Sequence, residues 1–139
     1  MIVLDTNVLS ALMHSAPDRA VVDWLDRQPA DSVWVTSITV FEARFGLAIL
    51  PDGRRRRALE RAFARVLEGD LANRVLDFDR PAAAAASALA AARRRAGRVA
   101  DLRDTLIAGI AQARRATIAT RNVGHFEGLD VPIVNPWAA

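Results

Sequence analysis

Three acidic residues stand in stretches that are otherwise almost wholly apolar. They are Asp5 in "MIVLDTNVLS", Glu42 in "SITVFEARFGLAIL" and Asp104 in "DTLIAGIAQA". A carboxylate among apolar neighbours is costly unless something pairs with it. If the fold brings the three together, they repel one another and raise one another's pKa until a cation compensates. With no cysteine and only two histidines, the donor set is mainly oxygen, which suits Mg²⁺ or Mn²⁺. Such an ion activates water and neutralises phosphoryl charge, so the chemistry in view is metal-dependent cleavage of a phosphodiester.

Each acid also has a plainer reading. Asp5 can cap a helix that starts beside it. Glu42 shares a helical stripe with Ile38, Phe45 and Ile49, and Arg44 or another arginine could neutralise it. Asp104 falls in a first helical turn, where the helix dipole favours an anion. Asp101, three residues earlier, suits the N-cap itself. A fourth location, "IATRNVGHFEGLDV", adds the polar residues Thr120, Asn122 and His125 in a loop.

The elements that would carry these residues alternate in type. Short apolar runs at Ile2 to Leu4, Ser32 to Thr36, Arg74 to Phe78, Thr117 to Thr120 and Val131 to Val134 read as strands. Helices are expected from Asp5 or Thr6 through Leu12 and from Pro17-Asp18 onward. Ser37 would cap another over Ile38 to Leu50, which Pro51-Asp52-Gly53 breaks. A polar, arginine-rich helix then runs from Arg54 to Leu67. An alanine-rich one is opened by Asp79 and Pro81 and ended by Gly97, and the last spans Leu102 to Arg114. Alternating strands and helices imply a single α/β domain over residues 1–139, a sandwich around a mainly parallel sheet. Ligands of such sheets sit beyond the carboxyl ends of the strands, which is where Asp5 and Thr120 fall and which Glu42 can face.

Composition narrows the function further. All 19 basic residues are arginine, which excludes lysine-based phosphate loops and Schiff-base chemistry. A net charge of +3 permits nucleic-acid binding without requiring it. No stretch approaches the roughly 20 apolar residues of a membrane span, and Asp5 interrupts any apolar leader, so a cytoplasmic protein is expected. The runs Arg54 to Arg57 and Arg93 to Arg95 read as solvated helix surface or as RNA-steering charge. Arg44 and Arg121 are closer in sequence to the proposed site, beside Glu42 and between Thr120 and Asn122, and are the better candidates for phosphate contact.

These motifs together resemble a PIN domain of the VapC type, in its FitB-like branch. "MIVLDTNVLS" is similar to the first acidic motif, "TSITVFEARFGL" to the second, and "RDTLIAGIAQARRATIATRNVGHFEGLDVPIVNPW" to the third and the C-terminal region. The resemblance covers nearly the whole chain. It implies a Rossmann-like three-layer fold, a Mg²⁺- or Mn²⁺-dependent ribonuclease, a VapB-type antitoxin partner and a homodimer that carries it. By motif position it makes Asp5, Glu42 and Asp104 the metal-binding acids, with Asn7 and Thr120 lining the site. The family often has a further aspartate after "TRN", where this chain has His125. A lost negative charge there would weaken a second metal most, so a one-metal site, or a second metal held loosely, is expected. The alternative is a degenerate PIN domain that binds RNA or an antitoxin without efficient catalysis.

Overall fold

The computed structural model describes residues 1–139. Five strands form one sheet: β1 Ile2–Leu4, β2 Val33–Thr36, β3 Val75–Leu76, β4 Thr117–Ala119 and β5 Ile133–Val134. Every neighbouring pair is parallel, in the order β3-β2-β1-β4-β5. Six helices connect them: α1 Thr6–Met13, α2 Arg19–Asp26, α3 Ser37–Ala48, α4 Arg54–Ala64, α5 Arg80–Arg95 and α6 Leu102–Arg114. A π-helical turn, Arg65–Asp70, continues α4. No helix is long and apolar enough to cross a membrane.

Side-chain alternation along the strands builds the core in two halves. Leu4, Val33, Val35 and Ala119 face one side, where Val8, Leu9, Trp24 and Phe63 cover them. Val3, Ile118 and Leu76 face the other, under Ile107, Ile110 and Phe126. A parallel sheet covered on both faces is the three-layer α/β sandwich that the strand–helix alternation implies.

Several boundaries differ from the sequence reading. β3 and β5 shrink to two residues each because they are edge strands with one neighbour. The cap of α3 is Thr36, whose hydroxyl accepts from the Thr39 amide at 3.1 Å. Ser37 is the first helical residue instead, and its hydroxyl accepts from the Phe78 amide at 3.1 Å, tying β2 to the strand beside it. The stripe through Glu42 is not buried: Phe45 is 51% and Ile49 66% exposed. α3 packs through Val40, Ala43 and Leu47 instead, one helical face over. Of the α5 alanines, Ala82 and Ala86 are buried against α6, while Ala84, Ala88 and Ala90 to Ala92 are exposed.

Candidate active site

β1 lies at the centre of the sheet, and strand order runs one way from it to β2 and the other way to β4. The chains leaving β1 and β4 therefore diverge and open a crevice at the carboxyl edge. An open cleft of about 650 Å³ occupies that place, bounded among others by Asp5, Asn7, Glu42, Asp104, Arg121 and Trp137. Three acids separated by long intervals of sequence thus meet at one cavity.

Asp5 follows β1 directly and caps α1, its Oδ1 accepting from the Thr6 amide at 2.8 Å. Its Oδ2 accepts from the Thr120 hydroxyl at 2.8 Å and from the Asn7 amide group at 3.3 Å. The cap and the site role therefore fall on the same carboxylate. Glu42 enters from α3, with Oε1 accepting from the Thr6 hydroxyl at 2.9 Å and Oε2 lying 3.5 Å from Arg103 Nη1. Asp104 stands in the first turn of α6, its Oδ2 2.9 Å from His125 Nδ1. Asp101 is the α6 N-cap, accepting from the amides of Arg103 at 2.8 Å and Asp104 at 3.3 Å.

Burial pushes the pKa of Asp5 up, and the negative charge of Asp104 adds to it. The Thr120 and Thr6 hydrogen bonds and the nearby His125 oppose the rise. Glu42 is pushed up in the same way, first by burial and then by Asp5 and Asp104, against the Thr6 bond and Arg103. Asp5 and Glu42 therefore both sense the charge of Asp104 across the cleft, and a neighbouring cation would favour their ionised forms.

The donor set fits a hard divalent ion: three carboxylates, the hydroxyls of Thr6 and Thr120, and the amides of Asn7 and Asn122. The acids are not gathered into a closed cage, and no group of three or more His, Asp or Glu side chains stands at direct ligand spacing. Each carboxylate is engaged by a protein donor instead. This arrangement suits an ion that keeps much of its water and meets the protein through few direct bonds, as Mg²⁺ commonly does.

The supporting residues divide. Asn7 joins Asp5 to Thr120 through Nδ2, 3.3 Å from each, and its Oδ1 accepts from the Arg121 amide at 3.3 Å. Asn122 lines the cleft, and its amide donates to Thr120 Oγ1 at 3.0 Å. Arg121 also lines it, its guanidinium carbon 5.0 Å above the Trp137 ring. Arg44 does not: it stacks over Phe63 at 5.2 Å on the far side of α3, because successive helical residues two apart point apart. Arg93 is not surface charge but is 6% exposed. Sequence reasoning also passed over Thr6 and Arg103, the two partners of Glu42. Their adjacency to Asp5 and Asp104 was the available signal.

Comparison with known proteins agrees with this geometry. Residues 2–130 match the PIN domain. VapC ribonuclease Y4jK of Sinorhizobium fredii is 43% identical over 141 residues, covering 99% of this chain and 98% of that one. Toxin FitB of Neisseria gonorrhoeae is 36% identical over 137 residues, with 99% of each chain covered. The crystal structure of FitAcB from Neisseria gonorrhoeae superposes with a TM-score of 0.86 at 36% identity over 100% of both chains. An acid-lined crevice at the strand-order reversal, carried on this sheet and shared over full length with such relatives, leaves one assignment: the chain belongs to the PIN-domain family, in its VapC-type, FitB-like branch.

Proposed function

We propose that the chain is a divalent-metal-dependent endoribonuclease that acts in the cytoplasm as the toxin of a toxin–antitoxin pair. The observation that carries this reading is the convergence of Asp5, Glu42 and Asp104 on one cleft from three distant segments. Relatives bearing the names VapC ribonuclease and Toxin FitB supply the substrate class and the biological role.

A bound Mg²⁺ or Mn²⁺ supplies Lewis acidity toward water and charge neutralisation on a phosphoryl group. Asp5, Glu42 and Asp104 would hold it. Thr120 and Asn7 hold the Asp5 carboxylate through Oδ2 at the edge of the cleft. His125 orients Asp104 in place of a fourth acid. Arg121, backed by the Trp137 ring, is set to meet an RNA phosphate at the rim.

A VapB-type antitoxin and a second copy of the chain are the proposed partners. On α3, Phe41 is 59% exposed and stacks on Phe45 with ring centroids 6.0 Å apart, a larger apolar display than one surface helix needs. We assign this face to the homodimer.

One observation favours a second reading, binding without efficient catalysis: every carboxylate already has a protein donor. Calorimetric titration of metal-free protein with Mn²⁺, beside an RNA cleavage assay, separates the two. The nuclease reading expects binding and cleavage in the wild type, both lost in a folded Asp5→Asn variant. Cleavage retained by that variant would sink it, and a wild type that binds RNA but neither metal nor cleaves would establish the other.

A further inference from the structure

Arg93, in the last turn of α5, is the one buried arginine of the chain. Its guanidinium donates through Nη2 to the His125 carbonyl at 3.0 Å and through Nη1 to the Thr105 hydroxyl at 3.4 Å. Neither partner carries a charge. Burial pushes the Arg93 pKa down, Arg98 adds to the shift, and only the field of Asp104 opposes it. A guanidinium buried on neutral acceptors is poor economy for packing, since an apolar side chain of similar volume would avoid the desolvation.

What the guanidinium does instead is join three segments at one point. Through His125 it holds the 3₁₀ turn Val123–Phe126, whose imidazole meets Asp104. Through Thr105 it holds the first turn of α6, because the Thr105 hydroxyl donates onward to the Asp101 carbonyl at 3.0 Å. Asp101 in turn caps the amide of Asp104. Both routes end on the same acid. A cavity of about 190 Å³, bounded by Arg93, Asp101, Asp104 and His125, gives this corner room to shift if the anchor is lost.

We propose that Arg93 is a positioning residue that sets the orientation of Asp104 from behind, through His125 on one side and the α6 cap on the other. Its functional consequence rests on the metal-site reading above; its geometric content does not.

The test is amide hydrogen exchange on metal-free wild type, Arg93→Met and Thr105→Val, with Mn²⁺ calorimetry on the same samples. Met keeps the stem and removes both donors. The expected result for Arg93→Met is a melting temperature near that of the wild type. The amides of Asp104, Thr105 and His125 exchange about tenfold faster or more, those of α1 and β1 are unchanged, and Mn²⁺ affinity falls several-fold. Unchanged protection at those three amides, or a loss spread evenly over the chain, overturns the proposal. Should Arg93→Met fail to fold, Thr105→Val decides, since it removes one partner at nearly constant volume. Faster exchange at the His125 amide, which the Thr105 hydroxyl reaches only through Arg93, supports the anchor, and wild-type protection at that amide overturns it. A wild type that binds no Mn²⁺ sinks the metal-site reading, while the exchange data still decide the role of Arg93.

Discussion

Asp5 serves as strand terminus, helix cap and cleft-lining carboxylate at once, and its burial makes ionisation costly. Asp5 and Glu42 hold their protons to higher pH in the folded chain than in the unfolded one. The stability they contribute is therefore complete below the ordinary carboxylate range and is lost as pH rises through their raised values. Two outcomes are expected in thermal melts at neutral pH. Asp5→Asn should raise the metal-free melting temperature, because it relieves the cost of burying the charge. Mn²⁺ should raise that of the wild type and leave the variant unmoved. The three acids were legible because each interrupts or opens a mainly apolar stretch. Arg93 was not, since its neighbours Arg94 and Arg95 are indeed exposed and nothing local distinguishes the inward-facing member of the run. Arg44 misled for a related reason, because nearness in sequence along a helix says nothing about a shared face.

The helix pair α5–α6 shows how elements hold the site. A Cβ built on Gly109 would lie 2.6 Å from Ala86 Cβ, 2.7 Å from the Ala82 carbonyl oxygen and 2.8 Å from the Ala86 amide nitrogen. Two of those atoms are backbone and cannot turn aside. Gly109→Ala should therefore destabilise the chain despite a gain of about 1 kcal/mol in helix propensity. Overpacking costs about 1–3 kcal/mol, so a lower melting temperature is expected. The variant also pushes α5, and Arg93 with it, away from Thr105. The bounds of α6 were readable to the residue, since Asp101 caps it and its apolar run is long. Those of β3 and β5 were not, because two-residue edge strands are defined by their neighbour rather than by their own pattern. The use of Ala82 and Ala86 as a close-packing face was hidden because small residues look alike on a surface and in a tight helix contact.

At the scale of the molecule, part of the positive charge is neutralised within the chain. Within the α4 arginine run, Arg56 pairs with Glu60 at 2.8 Å and Arg57 with Asp52 at 3.5 Å, so these charges are partly spent inside the chain. Arg121→Gln should weaken RNA binding and lower its salt slope by about 1, while Arg55→Gln should change the slope less; fluorescence anisotropy over a salt series reads both. Replacing Phe41 and Phe45 by serine should leave the fold intact and shift sedimentation toward the monomer. The strand order follows a pattern that alternation alone suggested only as a class. Placing β1 at the centre required knowing that its neighbours are β2 and β4. That centrality carries a consequence for the chain as it is made. The Asp5 carboxylate is completed by Thr120, 115 residues later, and β1 has no second neighbour until β4 emerges. At about 5–20 residues per second, seconds of synthesis separate the first acid from its last support. On the nuclease reading, a nascent chain on the ribosome, surrounded by RNA, carries Asp5 and Glu42 before Asp104 and Thr120 exist to complete the cleft, and the fold would delay any cutting until most of the sequence has been translated.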